Sequence, residues 1–507
     1  MKAIKLSLVL CILLACALPG AASTGCADIL NSLAGKAVGV VCFASPDLTT
    51  NNTALPPNGP TTLPNDSLPE FADGVTPLPT YAFTPITDRG VIVLTNAPTP
   101  APAIPGVQVE GFFADDPAGQ ARFLLRFPDH WNGRLVVAGA SGTRSEFNGD
   151  LAWSDYVLQK GYAYASQNKG VMNFHVTSAS DASACRYNPV TPIAALPIHY
   201  YDVDPGKPFT QWTEYMLKAA QLAQHTAKRH YGKPARYTYA VGTSNGGYQV
   251  RRAIEAAPDL FDGGVDWEGT FIGPFGPTVL TYLAPALANY QAYAASGYDQ
   301  NSSAAKAILA AGFPPDIVVG TGTSTKSLWG TYWAAYWEAT LCQWQKRFDP
   351  TYDTYGSDGL GMTRYDYLER AFTVPGVFFS VAEASNTGKV EKPLITVAGT
   401  MDGLLPIKDQ ARAYEALVKA RRKGNDDHRK AQYRLYEVQN GNHIEGYTTT
   451  FPQLQLIEPY AQKAFDLLVD HVEKHASLPP SQCIPRGGTI LDPPAEPGHC
   501  TNLFVGP

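Results

Sequence analysis

The stretch TYAVGTSNGGYQVRRAIEAA, residues 238–257, constrains this 507-residue chain more than any other. It reads as an apolar strand (YTYAV, 237–241), a glycine-rich turn and a helix. Strand, tight turn and helix make a βα unit, which calls for a parallel sheet with helices on its faces. Small residues around Ser244 let the backbone turn sharply. Such a turn lifts a serine hydroxyl above the sheet at the N-terminus of the next helix. A βα turn that merely needs small residues is the other reading of the same glycines.

Further segments fit that sheet. VQVEGFFA (107–114) and ARFLLRFP (121–128) alternate and predict early antiparallel strands. RLVVAGA (134–140), YAYAS (162–166), LITVAG (394–399) and YRLYEV (433–438) predict the remainder. Residues 211–230 place Trp212, Tyr215, Met216, Ala219, Leu222, Ala223 and Thr226 on one helical face, and Gly232 ends that helix. A last helix is expected over 453–476. Twelve prolines between residues 56 and 105 exclude helix and central strand there. Residues 272–385 differ in character, being rich in Tyr, Trp, Ala and Gly, and read as a mainly helical lid. The expected organisation is a signal peptide (1–22), a Pro-rich N-terminal extension (23–106), a first core part (107–271), the lid (272–385) and a second core part (386–507).

The amino terminus, MKAIKLSLVLCILLACALPGAAS, has a basic start, an apolar run and small residues suited to cleavage. No later segment approaches the ~20 apolar residues of a membrane span. A secreted or periplasmic protein without a transmembrane segment is expected, lipidation of Cys16 being the alternative. Net charge is -6, with no basic block to hold nucleic acid. Six cysteines follow the signal: Cys26, Cys42, Cys185, Cys342, Cys483 and Cys500. An even number in an exported chain predicts disulfides, with Cys26–Cys42 and Cys483–Cys500 as plausible local pairs. No CxxC motif supports zinc.

A serine hydroxyl attacks only with a general base beside it, and the base needs an orienting carboxylate. On a sheet of this kind the chain order is Ser, acid, His. Gly242-Thr243-Ser244-Asn245-Gly246 supplies the serine. LITVAGTMDGLLP supplies Asp402 in a loop after a strand, with Asp409 in reserve but expected on a helix. YRLYEVQNGNHIEGY supplies His443 in a loop after the last strand, whereas His225, His230, His471 and His475 fall on helices. The oxyanion hole would use the backbone N–H of Asn245 and that of Ala140 or Ser141. No substrate-binding residue is assigned.

GTSNGG, AGTMDGLLP, NGNHIEGY and VVAGASGTRSEFNGD with GYAYASQNKG resemble exported α/β-hydrolases of the tannase and feruloyl esterase family. They also resemble the hydroxybutyrate oligomer hydrolases. The resemblance spans roughly residues 107–475. It implies an α/β-hydrolase core of mostly parallel sheet, and ester hydrolysis through an acyl-enzyme with Ser244 as nucleophile, Asp402 as acid and His443 as base. Tannase-type members join a cysteine before the serine to one after the histidine, and here those positions are Thr243 and Ile444. The Ser-Asn-Gly-Gly run is closer to the hydroxybutyrate oligomer enzymes. The implied substrate is an aromatic or polyphenol ester, or a hydroxyalkanoate oligomer. A lid calcium loop would fall on Asp349, Asp353 and Asp358, whose spacing is irregular. Neither metal nor cofactor is expected.

Two rivals remain. Ser244-Asn245-Gly246-Gly247-Tyr248 also resembles the elbow of prolyl-oligopeptidase-type peptidases, although Asp402 follows at twice their usual interval and no propeller repeat is visible. A non-catalytic binding protein on a hydrolase scaffold is the third reading. Trp329, Tyr332, Trp333, Tyr336 and Trp337 read as lid core, with some as lining of an acyl pocket.

Overall fold

Alternation along the strands decides the layers. Within Arg134–Gly139, Leu135 and Val137 turn to one face of the sheet and Val136 and Ala138 to the other, and all four are buried. A strand buried on both faces runs through the middle of a helix-covered sheet. The computed structural model describes residues 22–52, 54, 89, 102–116, 119–142, 144–171, 175–176, 181, 184–187, 196–199, 209–422 and 432–506. The expected signal segment as far as residue 21, with Cys11 and Cys16, and most of 53–101 lie outside the described residues. No described helix is long and apolar enough to cross a membrane.

Among the described residues, eleven strands form one sheet: β1 (Ala37–Ser45), β2 (Gly106–Phe113), β3 (Arg122–Pro128), β4 (Arg134–Gly139), β5 (Ala163–Gln167), β6 (Tyr237–Thr243), β7 (Gly263–Trp267), β8 (Leu394–Gly399), β9 (Tyr433–Val438), β10 (Gln482–Ile484) and β11 (Glu496–Pro497). Their order is β1-β2-β3-β5-β4-β6-β7-β8-β9-β10-β11. Neighbours from β5 to β10 run parallel, and the two edges are antiparallel. β1, β7, β10 and β11 are absent from the sequence reading. β1 lies within the segment read as extension and pairs with β2.

Helices cover both faces. α1 (Ala22–Leu33), α2 (Thr210–Tyr231) and α3 (Asn245–Ala256) bury their apolar stripes on the face carrying Leu135, Ala240 and Leu394. The predicted stripe of α2 is buried throughout, and Gly232 closes the helix at φ 70°. Between β7 and β8 the chain forms α4 (Val279–Ala295), α5 (Glu338–Phe348) and several shorter helices around a separate aromatic core. α6 (Ala411–Arg422) joins the first face, and α7 (Glu458–Lys474) covers the other with Phe465 and Leu468. α7 starts later than the predicted residue 453, because Pro459 suits a first helical turn and Gln455 bridges to Gly441 instead.

Three disulfides tie the periphery. Cys26–Cys42 joins α1 to β1, Cys483–Cys500 joins β10 to the C-terminal arm, and Cys185–Cys342 joins a short strand (Cys185–Tyr187) to α5. Arg89, from the Pro-rich stretch, is buried against Asp150, which also takes a two-pronged contact from Arg126 of β3. Buried charges of this kind persist because each is paired.

Candidate active site

The turn between β6 and α3 is strained at one residue. Ser244 has φ 57° and ψ −122°, a region that L-residues avoid. Its N–H donates to the Trp267 carbonyl at 2.9 Å, which fixes the turn to β7. A Cβ at Gly242 would strike the Gly246 carbonyl, and a Cβ at Gly246 would strike that of Gly139. The glycines therefore let α3 and the end of β4 approach backbone to backbone, beyond what a simple turn requires.

Ser244, Asp402 and His443 meet above the C-terminal ends of β6, β8 and β9. His443 Nε2 lies 3.0 Å from Ser244 Oγ, and its Nδ1 lies 2.8 Å from Asp402 Oδ2. All three are buried. The other Asp402 oxygen accepts N–H bonds from Leu404 and Leu405, each at 2.7 Å, so the carboxylate is aimed by its own turn. An Nδ1–H donated to Asp402 leaves Nε2 to accept the serine proton. Asp409 sits in a turn before α6 rather than on a helix, and Asp402 takes the histidine instead.

The two loops are braced from both sides. From the helices between β7 and β8, Tyr332 Oη donates to Asn442 Oδ1 at 2.9 Å, and Trp337 Nε1 donates to the Gly403 carbonyl at 2.7 Å. Each of these residues thus touches a neighbour of His443 or Asp402. On the other side, Asn440 exchanges hydrogen bonds with Val505 of the C-terminal arm, and Thr400 Oγ1 holds the Leu503 carbonyl. Trp329, Tyr332 and Trp337 are fully buried in the aromatic core between β7 and β8. Thr243 Oγ1 accepts from Trp153 Nε1 at 3.4 Å, and Ile444 packs into that aromatic core.

The candidate oxyanion donors differ. Asn245 opens α3, so its N–H has no acceptor within the helix. Ser141 N–H is engaged by Asn148 Oδ1 at 2.8 Å, and Ser141 Oγ donates to the same atom at 2.7 Å. Ala140 is buried at the end of β4, where Gly139 touches Gly246. Asn148 is thus a site residue that the sequence reading does not contain.

Glu268 is another. It follows β7 directly, is buried, and brings Oε2 within 3.4 Å of His443 Nδ1. Burial, and then the neighbouring Asp402 charge, hold its carboxyl well above the usual carboxylate range. Among the described residues, Glu268, Asp402 and His443 are the one group of acids and histidines with donor atoms close enough for a metal ion. His443 Nδ1 is already committed to Asp402 there. Between β7 and β8, Asp349 is taken by Arg370 and Asp358 by Arg364, while Asp353 caps the Gly356 N–H.

Parallel sheet, strained serine turn and the Ser–His–Asp chain of hydrogen bonds define an α/β-hydrolase. Residues 368–503 match the model of the family described as 3HB-oligomer hydrolase (3HBOH), a stretch that includes Asp402 and His443. The chain is 36% identical over 113 residues to the D-(-)-3-hydroxybutyrate oligomer hydrolase of Burkholderia thailandensis, covering 20% of this chain and 15% of that protein. The chain thus spans 15% of the length of that curated relative. Among solved structures it is similar to tannin acyl hydrolase from Aspergillus niger (14% identity, 74% of this chain and 79% of that one, TM-score 0.40). It is also similar to feruloyl esterase B from Aspergillus oryzae (13% identity, 74% and 82%, TM-score 0.37).

Proposed function

We propose that this protein hydrolyses carboxylic esters through an acyl-enzyme on Ser244. The observation that carries the reading is the imidazole of His443, within hydrogen-bond reach of Ser244 Oγ on one side and Asp402 on the other. His443 takes the serine proton as Oγ attacks the ester carbonyl. The N–H groups of Asn245 and Ala140 receive the developing oxyanion, the Ser141 N–H being occupied by Asn148. His443 then protonates the leaving alcohol, and water repeats the sequence to release the acid. Asp402 holds the tautomer and offsets the imidazolium charge.

The substrate class rests on likeness. The match to 3HB-oligomer hydrolases and the Ser-Asn-Gly-Gly turn favour short hydroxyalkanoate oligomers over aromatic esters. Residues 272–385 act as a lid in this reading, between the core parts 107–271 and 386–507. The signal-like amino terminus and three disulfides support export to an oxidising compartment.

The test is a hydrolysis panel on the purified protein and its Ser244→Ala variant. It would contain 3-hydroxybutyrate dimers and trimers, short acyl esters, ferulates, gallates and aminoacyl anilides. Serine-dependent cleavage of the hydroxybutyrate oligomers above the others is expected. Serine-dependent preference for anilides would move the protein to the peptidases, and turnover by Ser244→Ala near the parent rate would sink the mechanism.

A further inference from the structure

His443 Nδ1 faces two carboxyls rather than one. Asp402 Oδ2 stands at 2.8 Å and Glu268 Oε2 at 3.4 Å. The acids reach it from different elements, the loop after β8 and the end of β7.

Glu268 is held for this position at a cost. Its φ is 50°, a left-handed conformation that a glutamate adopts unfavourably. Its N–H donates to the Val397 carbonyl at 2.8 Å, and Oε1 accepts the Gly399 N–H at 3.0 Å. A Cβ at Gly399 would come within 2.8 Å of that oxygen, so the glycine leaves the carboxyl its space. Oε2 makes no well-formed hydrogen bond, although it is buried, close to the imidazole and near the Trp267 indole N–H. A buried polar atom left without a partner costs stability unless it serves a purpose.

The two carboxyls are not equivalent. Asp402 accepts two backbone N–H groups and the imidazole, which suits a negative charge. Glu268 accepts one backbone N–H, lies beside the Trp267 side chain, and faces the charges of Asp402, His443 and Glu445 and the Tyr332 hydroxyl. Burial and then the Asp402 charge hold its carboxyl well above the usual carboxylate range, toward the neutral form. Like charges so close repel, which favours a neutral Glu268 beside the imidazole.

We propose that Glu268 is a positioning residue for His443, a second acid that takes over from Asp402 when Asp402 carries no charge. The inference rests on the Ser244 mechanism above. With asparagine at 402 the like charge is gone, and Glu268 gives up its proton to solvent at a lower pH than in the parent, burial still holding it above the usual carboxylate range. Its carboxylate then accepts Nδ1–H and keeps Nε2 free for the serine proton. In a triad with one acid, that asparagine imposes the wrong tautomer and costs about 10⁴-fold in kcat.

A double-mutant cycle on Ser244-dependent ester hydrolysis tests this, using Asp402→Asn, Glu268→Gln and the pair. Thermal melting checks each fold, and a fluorophosphonate label counts the active serine. Asp402→Asn should lose only about 10²-fold, Glu268→Gln less than about tenfold, and the pair at least about 10⁴-fold, more than the product of the singles. The Asp402→Asn rate should climb with pH as Glu268 ionises, a limb missing from the pair. A multiplicative cycle, or a full 10⁴-fold loss in Asp402→Asn with no such limb, overturns the proposal.

Should the asparagine variant fail to fold, Glu268→Gln alone decides. Exchanging one neutral group for another should leave the acid limb of kcat/KM in place. A shift of that limb to lower pH by about half a unit or more would mean that Glu268 is charged at rest, and would overturn the proposal. Failure of the Ser244 mechanism reads differently, as absence of serine-dependent turnover in the parent protein, and removes this inference with it.

Discussion

The hydroxyl of Tyr332 donates to the side-chain carbonyl of Asn442 at 2.9 Å, one residue before His443. The Tyr332 hydroxyl oxygen in turn accepts the Ile444 N–H at 3.4 Å, one residue after His443. Tyr332 therefore holds the histidine loop on both sides.

Tyr332→Phe removes that hold without changing the ring. Losing a hydrogen bond and stranding its buried partner costs about 1–3 kcal/mol. If the tyrosine positions His443, kcat should drop roughly 3- to 30-fold with KM little changed. Steady-state kinetics on two esters of different acyl size decides the point. A change in KM and in acyl preference would instead make Tyr332 a pocket wall.

The elbow tolerates no side chain at Gly246. An added Cβ would meet the carbonyl of Gly139 and crowd Ala140, which pushes both proposed oxyanion donors apart. Gly246→Ala should therefore lower kcat/KM by about 10²-fold or more, the scale of one lost oxyanion donor. Gly446→Ala is the control, because a Cβ there meets nothing within 4 Å. Equal effects of the two variants on kcat/KM would contradict the geometry.

Glu458 carries a pH signature. Burial, and then the charge of Glu445, push its carboxyl up to about 8. In the unfolded chain it titrates near 4.3 or so. Between these values the folded state binds the extra proton, so this group makes stability fall as pH rises. Glu458→Gln removes the slope. Its melting temperature should exceed that of the parent by a margin that grows from pH 5 to pH 8, and a constant margin would rule the effect out.

Much of the architecture was readable because periodicity and turns are local. The stripe of α2, its glycine stop and the alternating strands β2 and β3 need only neighbours in sequence. Ser244, Asp402 and His443 were found because each stands in a loop after a strand, in the chain order such a sheet imposes. β7 escaped because GGVDW is short and mixes two glycines and an acid into its apolar run. Glu268 escaped with it, since a glutamate after an unread strand carries no signal. Asn148 and Tyr332 act across 7 and 110 residues respectively, through contacts that only the folded chain creates. Cys185 and Cys342, 157 residues apart, were likewise beyond spacing rules, whereas the two local disulfides were not.

That long-range disulfide turns residues 185–342 into a closed ring containing Ser244 and Glu268, while Asp402 and His443 lie outside it. By loop length alone, such a ring removes roughly 5 kcal/mol of freedom from the unfolded chain. It also makes a protease cut within the ring silent: the two pieces stay joined until the bond is reduced. Were the protein exported among proteases, a once-cut molecule would keep Ser244 tethered to Asp402 and His443.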